Sequence, residues 1–209
     1  MTQTAFCFLD APRLLTLVDH ELELVEPSVQ YVNELLASCQ HPLTRRDMPA
    51  MAKTTRDGLL SFLAQNPGGR CNPDPARGIS AGYTFWMRIR RVVPRDPRTA
   101  PPPISMAGSI SLRLGHNENL DYYLGHLGYH VLPPARGRHF AERACRLLLP
   151  LARAHGHGAL YITCNPENAA SRRTCEHLNA QFIDTVPVPS TNALYSQGDR
   201  YKCRYRITL

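Results

Sequence analysis

Polar and apolar residues first fall into a clear pattern at HELELVE. Leu22 and Leu24 alternate with Glu21 and Glu23, and this two-residue period predicts a strand. The period changes after Pro27. Val29, Val32, Leu35, Leu36 and Cys39 share one helical face, so a helix opening near Pro27 is expected. A second short helix is expected over TTRDGLLSFLAQ. NPGGRCNPDPARG and PRDPRTAPPP are broken up by Pro and Gly and predict loop insertions near 66–78 and 94–103. Between these loops Tyr83, Phe85, Met87 and Ile89 lie on one side of a strand. ISMAGSISLRL reads as its partner, giving a long hairpin of about ten residues a side.

The second half reads as strand, helix, strand. LGHLGYHV is the first strand, a helix runs on Ala141, Ala144, Leu148 and Leu151, and ALYIT is the second strand. Such a crossover makes its two strands parallel. Pro150 is expected to kink the helix, and Gly156 to end it. NAASRRTCEHL predicts a short helix with Asn179 in the left-handed position after it. AQFIDTV and DRYKCRYRITL are closing strands. The result is one mixed α/β domain over 1–209.

Composition narrows the class. With 209 residues and 43% hydrophobic content the chain can bury a real core, and no apolar run approaches a membrane span. The N-terminus has no basic start before its apolar patch, so no secretory signal is expected. Seven cysteines without a C-x-x-C imply reduced thiols and a cytoplasmic protein. Net charge is +7, from 22 Arg and 2 Lys. Arg suits phosphate or carboxylate partners, but these arginines are spread along the whole chain, as codon bias would leave them. Only WMRIRRVVPR approaches a basic stripe with aromatics, which argues against nucleic acid.

The helix near Phe140 opens after VLPPARGRH, with no Ser, Thr, Asp or Asn to cap it. Uncapped N–H groups and the helix dipole favour an anion, and Gly137 lets backbone approach it while Arg136 and Arg138 add charge. A bound pyrophosphate answers the puzzle. A solvated turn capped by water is the alternative.

GYHVLPPARGRHFAERACRLLLPLARA resembles the acyl-coenzyme-A motif of the GNAT superfamily of N-acyltransferases: strand, V-x-P, R-G-x-G-x-A, helix. YITCNPENAASRRTCEHLNAQF resembles the second half of the same system, and ELELVEPSVQYVNELLAS and MAGSISLRL stand where the family's first strand, first helix and third strand belong. The resemblance implies a twisted, mostly antiparallel sheet with one splayed parallel strand pair and flanking helices. It implies acetyl-CoA as co-substrate, an amine acceptor of a small molecule or peptide, and no metal. By carry-over, Tyr129 and Val131 offer main-chain groups to the pantetheine. Arg136, Gly137, Arg138, His139, Phe140 and Ala141 form the phosphate loop. Asn168, Ser171 and Arg172 approach the cofactor from the other side. His139 departs from the pattern, which has glycine there.

For the chemistry, His126 and His130 share a strand face, and either is a candidate general base or a satisfied structural histidine. Tyr129, on the opposite face, reads as core. Cys175 stands where the family often has a tyrosine acid. It is a weak donor or inert packing, with Ser171 as the substitute. Tyr195 and Tyr201 could line the acceptor side. No spacing matches a structural zinc pattern and no G-x-S-x-G is present, so neither metal nor Ser–His–Asp chemistry is expected. The two departures leave a catalytically silent coenzyme-A-binding module as the rival reading. The residues leave a homodimer open.

Overall fold

The computed structural model describes residues 7–9, 15–90 and 104–209. The expected insertion at 94–103 lies outside them. The chain forms β1 (Leu22–Val25), α1 (Val32–Cys39), α2 (Pro42–Asp47), α3 (Pro49–Ala52), α4 (Arg56–Gln65), β2 (Arg70–Cys71), β3 (Gly82–Ile89) and β4 (Met106–Arg113). It continues through β5 (Leu127–Val131), α5 (Phe140–Ala154), β6 (Ala159–Cys164), α6 (Ala169–His177), β7 (Gln181–Pro187), α7 (Ala193–Ser196) and β8 (Tyr201–Thr208).

Alternation explains the strands. In β1 Leu22 and Leu24 are buried between half-exposed glutamates, and Leu22–Val25 pairs antiparallel with Trp86–Ile89. The β3–β4 hairpin has eight residues a side rather than about ten, and pairs Gly82 with Arg113. Helix α1 starts later than expected, because Val29–Tyr31 forms a 3₁₀ turn first. Helix α4 is capped by Thr55, whose hydroxyl accepts from the Gly58 N–H at 3.1 Å. The loop expected at 66–78 holds β2, which pairs with the start of β3.

The two strands flanking α5 do not form a ladder. β5 closes one sheet, ordered β1-β3-β4-β5, and β6 opens another, ordered β6-β8-β7. They touch at their roots, where the His126 N–H donates to the Tyr161 carbonyl at 2.7 Å, and beyond that contact they belong to separate sheets. The splay leaves a cleft between them.

Helix α5 covers that junction. Phe140, Ala144, Cys145, Leu148, Leu151 and Ala152 are its buried stripe, packed with Phe85, Ile110, Leu112 and Leu127. Each fully buried Leu contributes about 1.5–3 kcal/mol. A second cluster on the opposite sheet face joins Val32, Leu35 and Cys39 of α1 to Trp86, Met106 and Leu132. α5 runs through Pro150 to Ala154. Proline removes one N–H, and here it stands on the exposed side of the helix, where water can satisfy the freed carbonyl.

Candidate functional site

The loop entering α5 is built as the anion argument requires. His139 is the N-cap, and its side chain caps nothing. Gly137 has φ 81°, and a Cβ there would meet nothing within 4 Å, so the loop's outer face is open. His139 has φ 56° and ψ 23°, a left-handed conformation that histidine tolerates better than most residues. It is the position where the motif has glycine. Its imidazole turns to Glu142 at 3.4 Å, as does His177 at 3.3 Å.

The two arginines divide. Arg136 is exposed, and its Nε donates to the Val131 carbonyl at 3.2 Å. That contact occupies a main-chain group assigned from sequence to the pantetheine. Arg138 instead pairs with Glu21, so its guanidinium is engaged inward and its backbone is what it brings to the loop. Arg143 reinforces the anchor, holding Asp19 at 2.6 Å and Glu21 at 3.0 Å. Burial pushes the Asp19 carboxyl up, but the Arg143 hydrogen bonds outweigh it and leave its pKa at about 2. Phe140 is buried with Arg143 over its ring, so it too serves the loop through its backbone. Ala141 lies half-buried in the first turn.

The cleft between β5 and β6 measures about 260 Å³. Its walls bring together Leu127, Gly128 and Tyr129 from β5, Thr163 and Cys164 from β6, Asn165 directly after it, and Asn168 and Ser171 at the start of α6. Asn168 caps α6, its side-chain oxygen accepting the Ser171 N–H at 3.0 Å. Arg172 is exposed beside it and reaches the Tyr205 hydroxyl at 3.4 Å. Tyr129 packs against the core, as expected, and its hydroxyl reaches the cleft wall, meeting Ser171 Oγ at 2.9 Å. Burial pushes the Tyr129 phenol far above its usual pKa and keeps it protonated. Ser171 also hydrogen-bonds the Cys164 thiol, which lines the same cleft.

The other two catalytic candidates are placed differently. His126 is fully buried at the root of the splay. Its Nε2 meets the Gly115 carbonyl at 2.9 Å and its Nδ1 accepts the Tyr161 N–H at 3.0 Å. Both nitrogens are taken, and burial lowers its pKa to about 4. This is the satisfied structural histidine. His130, half-buried, meets Ser109 Oγ at 3.2 Å. Cys175 is fully buried, and its hydrogen bond with Cys164 together with burial holds the thiol protonated well above the usual range. It packs behind the cleft rather than lining it.

Sequence reasoning missed three polar residues in the cleft: Asn165, Asp199 and Lys202. Lys202 is one of only two lysines, and Asn165 opens the NPEN run, but no local pattern joins them. Among the described residues two groups could offer metal ligands within 4.8 Å of one another, His116 with His126 and His157, and His139 with Glu142 and His177. Neither contributes to the cleft walls.

Residues 21–181 match the family described as acetyltransferase (GNAT) domain. The chain belongs to the GNAT acetyltransferase family. It is an N-acetyltransferase with acetyl-CoA as co-substrate. Solved structures with the same fold include the microcin C7 self-immunity acetyltransferase MccE with acetyl-CoA and AMP, at 14% identity and TM-score 0.61. That match covers 91% of this chain and 94% of that one. RimL, a ribosomal L7/L12 α-N-protein acetyltransferase solved with a coenzyme A–cysteine disulfide, is 17% identical with TM-score 0.58, covering 92% and 96%. A GCN5-related N-acetyltransferase from Brucella melitensis is 15% identical with TM-score 0.61, covering 92% and 77%. No curated protein matches the chain. Among the described residues no helix is long and apolar enough to cross a membrane.

Proposed function

We propose that the enzyme transfers the acetyl group of acetyl-CoA directly to an amine of a small molecule, with a peptide or protein amine as the second choice. The observation that carries this is continuity: a cleft lined by Ser171 lies between β5 and β6, and the uncapped start of α5 follows β5 in the chain. The diphosphate rests on the amides of 137–141, and the pantetheine passes between the splayed strands. The neutral amine adds to the thioester carbon, forming C–N while the oxygen becomes negative. A backbone N–H of β5 offers that oxygen a hydrogen bond. The C–S bond then breaks while the Ser171 hydroxyl donates a hydrogen bond to the departing thiolate; the amine proton leaves to solvent, and solvent returns one to the thiolate. The cleft accommodates this chemistry without His126 or Cys175.

Similar folds include a microcin self-immunity enzyme and a ribosomal-protein enzyme, so fold alone does not choose the acceptor. The test is thiol release from acetyl-CoA with a panel of amines, beside calorimetry of coenzyme A binding. Release above the hydrolysis rate with a small amine supports the reading. Tight coenzyme A binding with no amine-dependent release supports a silent binding module, the reading that His139 in a glycine position favours.

A further inference from the structure

Asp199, Lys202 and Asn165 close a ring in the wall of the cleft. Lys202 Nζ is 2.7 Å from Asp199 Oδ2 and donates to Asn165 Oδ1 at 2.7 Å, and Asn165 Nδ2 donates to Asp199 Oδ1 at 2.6 Å. Both charged side chains are mostly buried, at 11% and 17% exposure. The segment before β8 holds them in place: the Asp199 N–H donates to the Leu194 carbonyl at 3.1 Å and Gly198 to Tyr195 at 3.1 Å. Neither charge belongs to the cofactor loop or to the serine that serves the thiolate.

We infer that this ring is the acceptor subsite, and that it selects an amine carrying an anionic group close by, as in a free amino acid. The inference rests on the cleft being the site of acetyl transfer. Each member of the ring keeps capacity to spare. An ammonium has three N–H donors and a carboxylate about four lone pairs, and the ring uses two of each. A zwitterion can therefore dock without opening it. Its ammonium docks on the remaining lone pairs of Asp199 and gives up one proton to solvent before it attacks, and its carboxylate goes to the third N–H of Lys202. The ring has no net charge, so a polycation such as a polyamine gains from Asp199 and is repelled by Lys202. A peptide N-terminus brings no carboxylate to satisfy Lys202. A burial-matched pair of opposite charges discriminates because the wrong ligand leaves one of them desolvated and unmatched. Arg172 and Lys202 both bring positive charge to this end of the cleft, where they help lower the neighbouring Cys164 thiol after its main cause, the hydrogen bond with Cys175.

The experiment compares kcat/KM for the free L-amino acids, their amides and their decarboxylated amines in thiol-release assays on the full chain. Coenzyme A binding is measured by calorimetry on the same samples. The expected result is at least one amino acid preferred about 100-fold over its amide, with Lys202→Met erasing that preference by lowering turnover of the acid far more than that of the amide. Asp199→Asn should lower both. Circular dichroism melting identifies a variant that has not folded, and Lys202→Arg, which keeps the charge, should keep the preference. Equal rates for acid and amide, or equal losses for both in Lys202→Met, overturn the inference. So does intact coenzyme A binding with no amino acid acetylated. Loss of coenzyme A binding by the unmodified chain would instead overturn the reading of the cleft, and this inference with it.

Discussion

The hydroxyl groups of Tyr129 and Ser171 lie 2.9 Å apart, one on β5 and the other on α6, across the split between the two sheets. The pair joins a phenol that stays protonated to a serine whose hydroxyl can hydrogen-bond the departing thiolate. Removing the serine hydroxyl should therefore strike the chemical step. Ser171→Ala is expected to lower kcat about 10- to 100-fold and to leave the KM for acetyl-CoA within about 3-fold. Tyr129→Phe keeps the serine and should lower kcat by less than about 10-fold. Steady-state thiol release on both variants checks this. A Ser171→Ala enzyme with full kcat would remove the serine from the chemical step.

Gly137 separates backbone strain from charge. At φ 81° any side chain is strained, yet a Cβ meets no atom within 4 Å. Gly137→Ala should therefore cost about 1 kcal/mol and weaken coenzyme A by less than about 5-fold. Gly137→Asp adds the same strain and sets a carboxylate against the diphosphate, so binding should fall at least about 100-fold. Titration calorimetry distinguishes them, and equal affinities in the two variants would place the phosphates elsewhere.

His139 holds a left-handed conformation where the family motif has glycine. His139→Gly relieves that strain but also frees the unfolded chain, so stability should stay within about 1 kcal/mol of the parent. His139→Val puts a β-branched residue at φ 56°. It should cost about 2 kcal/mol and weaken coenzyme A about 10-fold, because the amides that follow lose their aim. Urea unfolding and calorimetry measure the two effects.

Much of this architecture was legible in local patterns. The alternation of Leu22 and Leu24, the hairpin around Phe85 and Ile110, and the apolar stripe of α5 each depend on contacts their own periodicity announces. Asn179 takes the left-handed position expected of it. Helices α2 and α3 were not legible, because Pro42 and Pro49 look like breaks yet occupy first-turn positions that need no N–H. The splay itself has no sequence signature, since β5 and β6 each look like ordinary strands. The face shared by His126 and His130 suggested reactivity. What decides the role of His126 is tertiary: two backbone partners, Gly115 and Tyr161, at sequence distances no pattern reads. The Asp199–Lys202–Asn165 ring was invisible for the same reason, as it assembles from the ends of β6 and β8.

His126 gives the fold an acid limit. Its native pKa is about 4, lowered chiefly by burial, against an ordinary value of 6.5. The unfolded chain therefore takes up this proton more readily than the native one. The stabilisation is complete above pH 6.5, shrinks as pH falls through the window, and is fully lost near pH 4. The difference amounts to about 3 kcal/mol. Burial lowers His130 and His157 as well, which steepens the loss in the same direction. The Asp19–Arg143 pair does not interfere, because the Asp19 carboxyl titrates between 3.8 and about 2, below the histidine window. Thermal melts from pH 7.5 to 4.5 should show the melting temperature falling steadily below pH 6.5. A flat profile down to pH 4.5 would mean that His126 is protonated, or exposed, in the native protein.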